Sequence, residues 1–275
     1  MIPVYVSNGA LLTRYNGRDY HLLSQLIPML HADGMEFLMY FCWADEVPEL
    51  RRTIKALKLD IPVMHLDKTI GETLSESGPE GRDSAFRLLE RDLDTACELG
   101  ARKLVLHLWN GKYSDRNFAY SLDVLGDMFA QARKRSLELT VENVTCRENI
   151  CLDHLEAIAR RYPFARFTYD TKMAHLHGEN ALLADARYSW LLRDGYIDHL
   201  HVNDSVFPTP DMDRLPIMHI GDGQVDFEAF FALTHGLKYA GTATVESTSV
   251  NTDGSVNIEK LNHSLDAVRA GLNGQ

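Results

Sequence analysis

The sequence predicts a (β/α)8 barrel that occupies residues 1–275 as a single domain. Short apolar segments typical of buried strands alternate eight times with segments that have the character of amphipathic helices. The repeat is roughly 35 residues long, which is the length of one βα unit. An open Rossmann-like sheet is the alternative, but it requires a glycine-rich turn after the first strand, where the chain reads Ser7-Asn-Gly-Ala-Leu-Leu12. The barrel is therefore the favoured fold.

The predicted strands are short runs rich in β-branched and aliphatic residues. In chain order they cover Ile2–Ser7, Met35–Phe41, Ile61–Leu66, Lys103–Leu108, Leu137–Asn143, Arg166–Asp170, Ile197–Val202 and Thr242–Glu246. In the fifth, Leu137, Leu139 and Val141 alternate with polar residues, and the acid Glu142 stands at its C-terminal end. An acid there indicates either a polar strand terminus or a functional group at the rim of a barrel.

Three of the predicted helices carry a continuous apolar stripe. They are Ser84–Leu99, which stops at Gly100, Ser121–Arg135, and the segment from Ile258 to Leu272. Another helix is predicted around Leu22–His31, although Pro28 interrupts its pattern.

The composition is that of an ordinary globular protein with an acidic surface. Hydrophobic residues make up 45% of the chain, and the formal net charge of −11 argues against a nucleic-acid partner, because like charges repel. We find neither an N-terminal signal peptide nor an apolar run of the roughly 20 residues that span a bilayer. The four cysteines follow no disulfide or zinc spacing and are predicted to be free thiols. A cytoplasmic protein without a membrane partner is expected.

Four successive predicted strands, the fifth to the eighth, carry polar residues at nearly the same depth: Glu142, Asp170, His201 and Glu246. In a barrel these strand ends meet at one mouth, where active sites are built. Three carboxylates and one imidazole form a ligand set suited to one divalent metal ion, with Mn²⁺, Mg²⁺, Co²⁺ and Zn²⁺ as candidates. Without a cation the clustered acids would repel one another.

Each of these residues, taken alone, also has a structural explanation. His201 can be a satisfied histidine of the core or rim, and Asp170 can cap the helix that follows it. Glu246 can pair with Lys238 or Lys260. The recurrence of such residues at four successive strand ends favours the metal site.

The motifs around these residues resemble those of the xylose-isomerase-like superfamily, most strongly between His65 and Glu246. The matching motifs are Val141-Glu-Asn143, Tyr169-Asp-Thr171, His201-Val-Asn-Asp-Ser205, His219-Ile-Gly-Asp-Gly-Gln-Val-Asp-Phe227 and Val245-Glu-Ser247. That superfamily includes sugar-phosphate isomerases and epimerases, ketohexose epimerases, inosose dehydratases and apurinic-site endonucleases. The resemblance implies a TIM barrel with Glu142, Asp170, His201 and Glu246 as metal ligands, and with the two glutamates as the acid–base pair.

The resemblance also implies substrate contacts, and here the chain departs from the family pattern. Glu148 has the spacing of a substrate-contacting glutamate, but Met173 replaces the histidine that epimerases usually have. Phe207 stands where an arginine is usual, and Arg214 is the candidate to replace that arginine. Lys172 is a further candidate for contact with substrate.

Two histidines and a tryptophan complete the predicted binding residues. His65 and His107 stand where the endonucleases place ligands of additional zinc ions, and the alternative is that they line a sugar pocket, which we favour. Trp109 follows the fourth strand, where it can stack on a sugar or pack within its loop.

The predicted function is that of a divalent-metal-dependent isomerase or epimerase of a sugar or sugar-like hydroxy-ketone, acting through a metal-stabilised enediolate. The alternatives are an endonuclease-IV-like phosphodiesterase acting at apurinic sites, an inosose-type dehydratase, and a metal-binding barrel without catalysis. The predicted partner is a small-molecule substrate. The sequence indicates no oligomeric state.

Overall fold

In the computed structural model, which describes residues 1–207 and 216–274, eight parallel strands close into a barrel in chain order. The strands are β1 Val4–Ser7, β2 Met35–Leu38, β3 Val63–His65, β4 Lys103–Leu106, β5 Glu138–Glu142, β6 Arg166–Asp170, β7 Ile197–Val202 and β8 Thr242–Val245. The last strand pairs with the first, so the sheet has no free edge. The predicted (β/α)8 barrel is confirmed.

Helices surround this barrel and follow the strands. They are α1 Leu23–Leu26, α2 Val47–Ala56, α3 Thr69–Ser77, α4 Arg82–Leu99, α5 Phe118–Lys134, α6 Cys151–Arg161, α7 Thr171–Leu176, α8 Glu179–Leu182, α9 Trp190–Arg193, α10 Phe227–Gly236 and α11 Ile258–Asn273. The predicted helix Leu22–His31 is instead one α-helical turn followed by a 3-10 turn over Ile27–Met29. Pro28 explains the break, because proline lacks the N–H that continues an α-helix.

The hydrophobic core fills the layer between the barrel and its helices. On α4, Ala85, Leu89, Leu93 and Ala96 are buried at helical spacing, and the helix ends at Gly100 with a φ of 83°. Parallel strands covered by helices on their outer face need apolar residues there, which explains the continuous apolar runs of the sequence.

The inside of the barrel is more polar than this outer layer. Thr140 and Thr168 share a hydrogen bond of 2.7 Å between their hydroxyl groups, and Glu36, His199 and Thr244 are also fully buried. Because buried polar groups need hydrogen-bond partners, these residues form networks that fix the side chains above them. The polar interior thus supports the C-terminal mouth.

Two further predictions concern the whole chain. Cys42, Cys97, Cys146 and Cys151 are free, as predicted. Within residues 1–207 and 216–274, no helix has both the length and the apolar character needed to cross a membrane.

Candidate active site

Glu142, Asp170, His201 and Glu246 are buried together at the C-terminal mouth of the barrel. One donor atom from each of the first three lies within 4.8 Å of the other two. The carboxylate of Glu246 joins them, with its Oε2 atom 3.7 Å from Nδ1 of His201. Strand register explains the proximity, since Asp170 lies beside His201 on adjacent strands. We call these four residues the ligand cluster.

Glu142 connects the ligand cluster to two further histidines. Its Oε1 lies 3.2 Å from Nδ1 of His201, and its Oε2 lies 2.9 Å from Nε2 of His107 and 3.2 Å from Nε2 of His65. Burial by itself would raise the pKa of Glu142, but His107 and His201 hold it well below its ordinary value. The carboxylate is therefore ionised and able to bind a cation.

The two oxygens of Asp170 have different environments. Oδ1 accepts hydrogen bonds from the backbone N–H groups of Lys172 and Met173 at 2.7 and 3.1 Å and so caps α7. Oδ2 is buried and accepts no hydrogen bond; Lys172 Nζ is 3.2 Å away, close enough for an ion pair but not aligned for a hydrogen bond. Burial raises the pKa of Asp170, and Lys172 opposes that rise. The residue thus caps a helix with one oxygen and leaves the other without a hydrogen bond.

Glu246 faces the open part of the mouth. Its backbone N–H donates to Asn203 Oδ1 at 3.0 Å, and the Asn203 side-chain amide donates to Glu246 Oε2 at 3.4 Å. It borders a cavity of about 290 Å³ that is also lined by Tyr40, Phe41 and Lys68. Burial would raise the pKa of Glu246, but His201 and the two lysines Lys68 and Lys172 lower it. The cavity has room for a small molecule beside an ionised glutamate.

The residues of the ligand cluster fit a divalent cation. They offer three carboxylates and one imidazole, a set of oxygen and nitrogen donors that suits Mn²⁺, Mg²⁺, Co²⁺ or Zn²⁺. A buried carboxylate oxygen without a hydrogen bond, such as Asp170 Oδ2, is costly unless a partner satisfies it. A cation bound by these donors would supply that partner.

The structure places the other predicted site residues in several environments. His65 and His107 are buried against Glu142 and form with it a second group of three potential ligands. Lys172 is buried beside Asp170. Trp109 is fully buried, and its indole N–H donates to the Val144 carbonyl at 3.2 Å, which favours the loop-packing alternative over stacking on a sugar.

Two predicted residues have no described contact with the ligand cluster. Glu148 is exposed, and among residues 1–207 and 216–274 no contact joins its carboxylate to the cluster; its backbone N–H donates to Asp115 at 3.1 Å. Arg214 lies outside the described residues.

Sequence reasoning missed two buried residues beneath the ligand cluster, Glu36 on β2 and His199 on β7. Nε2 of His201 and Nε2 of His199 each lie 3.0 Å from the Glu36 carboxylate. Burial would raise the pKa of Glu36, but His201 and His199 hold it well below its ordinary value. A signal was present: His199 and His201 share one strand face at a spacing of two, and Glu36 is the only acid in its apolar strand.

Comparison with known proteins gives a class for this fold and site. The sequence model described as xylose isomerase-like TIM barrel matches residues 29–271. The chain belongs to that family. The comparison with curated protein sequences gives no match.

Solved structures share the whole fold at low sequence identity. The chain is similar to 3-keto-D-glucoside 4-epimerase YcjR from E. coli, with a TM-score of 0.65 and 17% identity over 98% of this chain and 100% of that chain. The chain is also similar to D-allulose 3-epimerase from Methylomonas sp. in complex with D-allulose, with a TM-score of 0.71 and 16% identity over 98% of this chain and 95% of that chain. The IOLI protein with a bound zinc atom is similar as well, with a TM-score of 0.73 and 14% identity over 99% of each chain. At such identities the likeness establishes the fold alone.

Proposed function

We propose that this protein is a divalent-metal-dependent isomerase or epimerase of a sugar or sugar-like hydroxy-ketone. The observation that carries the proposal is that the carboxylates of two glutamates, Glu142 and Glu246, both approach His201 Nδ1. They lie 3.2 and 3.7 Å from that nitrogen, and one of them borders the cavity. Such a pair can approach a bound substrate from two directions.

The similar structures support this choice of reaction class. Two of them are named as epimerases of sugars or sugar derivatives, and the D-allulose 3-epimerase was solved with its sugar bound. The zinc atom of the IOLI protein supports a metal ion in the same kind of barrel. The substrate of this chain and the identity of its metal belong to the proposal.

Glu142, Asp170, His201 and Glu246 would hold the ion. When bound, a divalent cation supplies Lewis acidity that polarises a substrate carbonyl. The remaining chemistry is proton transfer by the chain's own carboxylates. One ionised glutamate accepts the proton from the carbon next to the carbonyl. The other, after taking up a proton from solvent, donates it to the opposite face of that carbon, which inverts its configuration, and the first glutamate then releases its proton to solvent.

Two other reactions remain as alternatives. A dehydratase acting on a cyclic polyol ketone begins with the same deprotonation, and loss of a hydroxyl group then replaces reprotonation. The phosphodiesterase alternative draws on His65, His107 and Glu142, whose donor atoms can hold a second ion. The net charge of −11 disfavours a nucleic-acid substrate and supports the isomerase.

The test replaces each glutamate by glutamine, which keeps the size of the side chain but removes the proton acceptor. With Mn²⁺- or Co²⁺-loaded protein and a panel of ketoses including D-allulose, we expect Glu142→Gln and Glu246→Gln each to reduce kcat by roughly 10²-fold or more. Glu76→Gln, at an exposed position of α3, is the matched control and should behave like the wild type.

Exchange of the substrate α-proton in D₂O should be followed separately from product formation. A variant whose remaining glutamate can still deprotonate the substrate should retain exchange while the epimerised product disappears. Normal turnover by both metal-loaded variants would contradict the proposed roles. Cleavage of an abasic-site duplex that disappears in Glu246→Gln would instead favour the phosphodiesterase.

A further inference from the structure

A fully buried carboxylate, that of Glu36 on β2, lies directly beneath the ligand cluster inside the barrel. It has three hydrogen-bond donors around it: Nε2 of His201 at 3.0 Å, Nε2 of His199 at 3.0 Å and the hydroxyl of Thr244 at 2.6 Å. An ionised carboxylate only accepts hydrogen bonds. The geometry therefore assigns the hydrogen of each of these contacts to the histidine or threonine.

The protonation of His199 is fixed from its other side. Its Nδ1 lies 2.7 Å from Oγ1 of Thr242, and a hydroxyl can donate to that nitrogen. A neutral ring that accepts at Nδ1 carries its proton on Nε2, which faces Glu36. His199 and Thr244 thus hold the Glu36 carboxylate in one orientation.

The same carboxylate decides how His201 meets the ligand cluster. Because Nε2 of His201 donates to Glu36, Nδ1 is the ring nitrogen that remains for a cation, which would replace any proton on that atom. That atom lies 3.2 Å from Oε1 of Glu142 and 3.7 Å from Oε2 of Glu246, among the other donors. The ring can turn only by breaking its hydrogen bond to a buried carboxylate, which is unfavourable because both groups are fully buried.

We propose that Glu36 is a positioning residue that fixes His201 as its Nε2–H tautomer and makes Nδ1 the metal-ligating nitrogen. The inference rests on the proposed function, since it takes the ligand cluster as a metal site. A hydrogen bond from a ligating histidine to a carboxylate orients the ring and raises its basicity. Glu36 therefore contributes to metal affinity without touching the metal or the substrate.

Donor atoms of Glu36, His199 and His201 also lie within 4.8 Å of one another and can be considered as a metal site of their own. The hydrogen bonds argue against it. Each imidazole Nε2 already shares a proton with the carboxylate, and Thr242 supplies the remaining partner of His199. An ion at Glu36 is therefore the competing outcome of the test.

The first experiment uses the wild-type protein with ¹⁵N-labelled histidine and long-range ¹H–¹⁵N NMR, with and without Zn²⁺. The His201 signals are assigned by their loss in His201→Gln. We expect Zn²⁺ to shift Nδ1 of His201 while Nε2 keeps its proton. Metal ligation through Nε2, or a proton on Nδ1 in the zinc-loaded protein, would overturn the inference whatever the stability of any variant.

The second experiment measures metal affinity directly, by competition with a chelator, so that it needs no substrate. Glu36→Gln has nearly the same size but brings an NH₂ group against two N–H donors, and it should weaken Zn²⁺ binding by roughly 10–100-fold. Glu36→Asp keeps the charge and should recover part of the affinity, whereas the exposed control Glu76→Gln should match the wild type. Unchanged affinity in a folded Glu36→Gln would contradict the inference.

The outcomes separate this inference from the proposed function. If zinc binds through Nδ1 and Glu36→Gln weakens it, but no ketose reacts, the inference stands and the proposed function fails. If ketoses react but Glu36→Gln binds zinc as tightly as the wild type, only the inference fails. A wild-type protein that binds no divalent ion would overturn both.

Discussion

Among the buried groups of potential metal ligands, two on the same side of the barrel differ in how their atoms are used. The first is the ligand cluster at the strand ends. The second, which we call the loop cluster, consists of Asp115, Cys146 and His154 and has donor atoms within 4.8 Å of one another. By residue type and proximity, both groups qualify as metal sites.

In the loop cluster, Asp115 and His154 already use their atoms in hydrogen bonds within the protein. Asp115 accepts hydrogen bonds from the backbone N–H groups of Arg147, Glu148 and Asn149 at 2.7, 3.1 and 3.0 Å. It also accepts one from Nε2 of His154 at 2.9 Å. Although burial opposes it, these bonds lower the pKa of Asp115 to about 2. The cluster is explained as a clamp that holds the loop after β5.

The ligand cluster has donors left over. Asp170 Oδ2 is buried without a hydrogen bond, and the carboxylates around His201, Glu36 first and then Glu246 and Glu142, raise its pKa well above its ordinary value against the effect of burial. Such an arrangement of acids is unfavourable unless a positive charge joins it. Under the proposed function, an unused lone pair on a buried donor, rather than residue type, distinguishes the metal site from a structural polar network.

The largest expected effect comes from removing an unused donor. Asp170→Ala should lower the affinity for Mn²⁺ or Zn²⁺ by more than roughly 100-fold, because it deletes one ligand, a larger loss than the 10–100-fold typical of outer partners. Asp115→Ala is the matched control in the loop cluster and should keep the wild-type stoichiometry. Metal content measured after gel filtration decides the matter. If Asp170→Ala retained its metal and Asp115→Ala lost it, the loop cluster rather than the ligand cluster would be the metal site.

The next effect is on stability and concerns the loop cluster. Asp115→Ala leaves several backbone N–H groups and His154 without their acceptor and should cost about 2–4 kcal/mol in the free energy of unfolding. The folded-state pKa lies below the ordinary value of 3.8, so the contribution is present at neutral pH and is lost as the pH falls from about 4 through about 2. Urea titrations of both proteins across this range test the prediction. A difference that stays constant with pH would contradict it.

The smallest effect concerns the cation beside the ligand cluster. Lys172→Met keeps the length of the side chain but removes a positive charge 3.2 Å from Asp170 Oδ2. Because like charges repel, we expect metal affinity to rise, roughly 3–10-fold, with the fold unchanged. A chelator competition assay measures the change. A fall in affinity would mean that Lys172 supports the ligand cluster rather than competing for its carboxylate.

The sequence could predict those residues of the site that stand at the ends of strands. Glu142, Asp170, His201 and Glu246 were predictable because a closed parallel barrel brings the C-terminal ends of all its strands to one mouth. The different surroundings of the two Asp170 oxygens were not predictable, since the sequence cannot show that one caps a helix while the other accepts no hydrogen bond. That difference depends on the direction in which α7 leaves β6.

Glu36 and Asp115 show where sequence reasoning stopped. Glu36 is a single acid in an apolar strand, and its partners His199 and His201 are more than 160 residues away in the chain. Asp115 accepts hydrogen bonds from a loop some 30 residues later in the chain, so its donors are known only once that loop is folded. Trp109 was ambiguous for a similar reason: the ring contacts that bury it come from Phe118 and His154. Such contacts follow from packing, and local pattern does not encode them.

The most direct test of the central claim is anomalous diffraction from crystals grown with Zn²⁺, recorded on both sides of the zinc absorption edge. We predict one strong peak in the ligand cluster, about 2.0–2.2 Å from Nδ1 of His201 and from carboxylate oxygens of Glu142, Asp170 and Glu246, and no peak in the loop cluster. A peak among Asp115, Cys146 and His154 with none at the strand ends would contradict the claim that unused donors define the metal site.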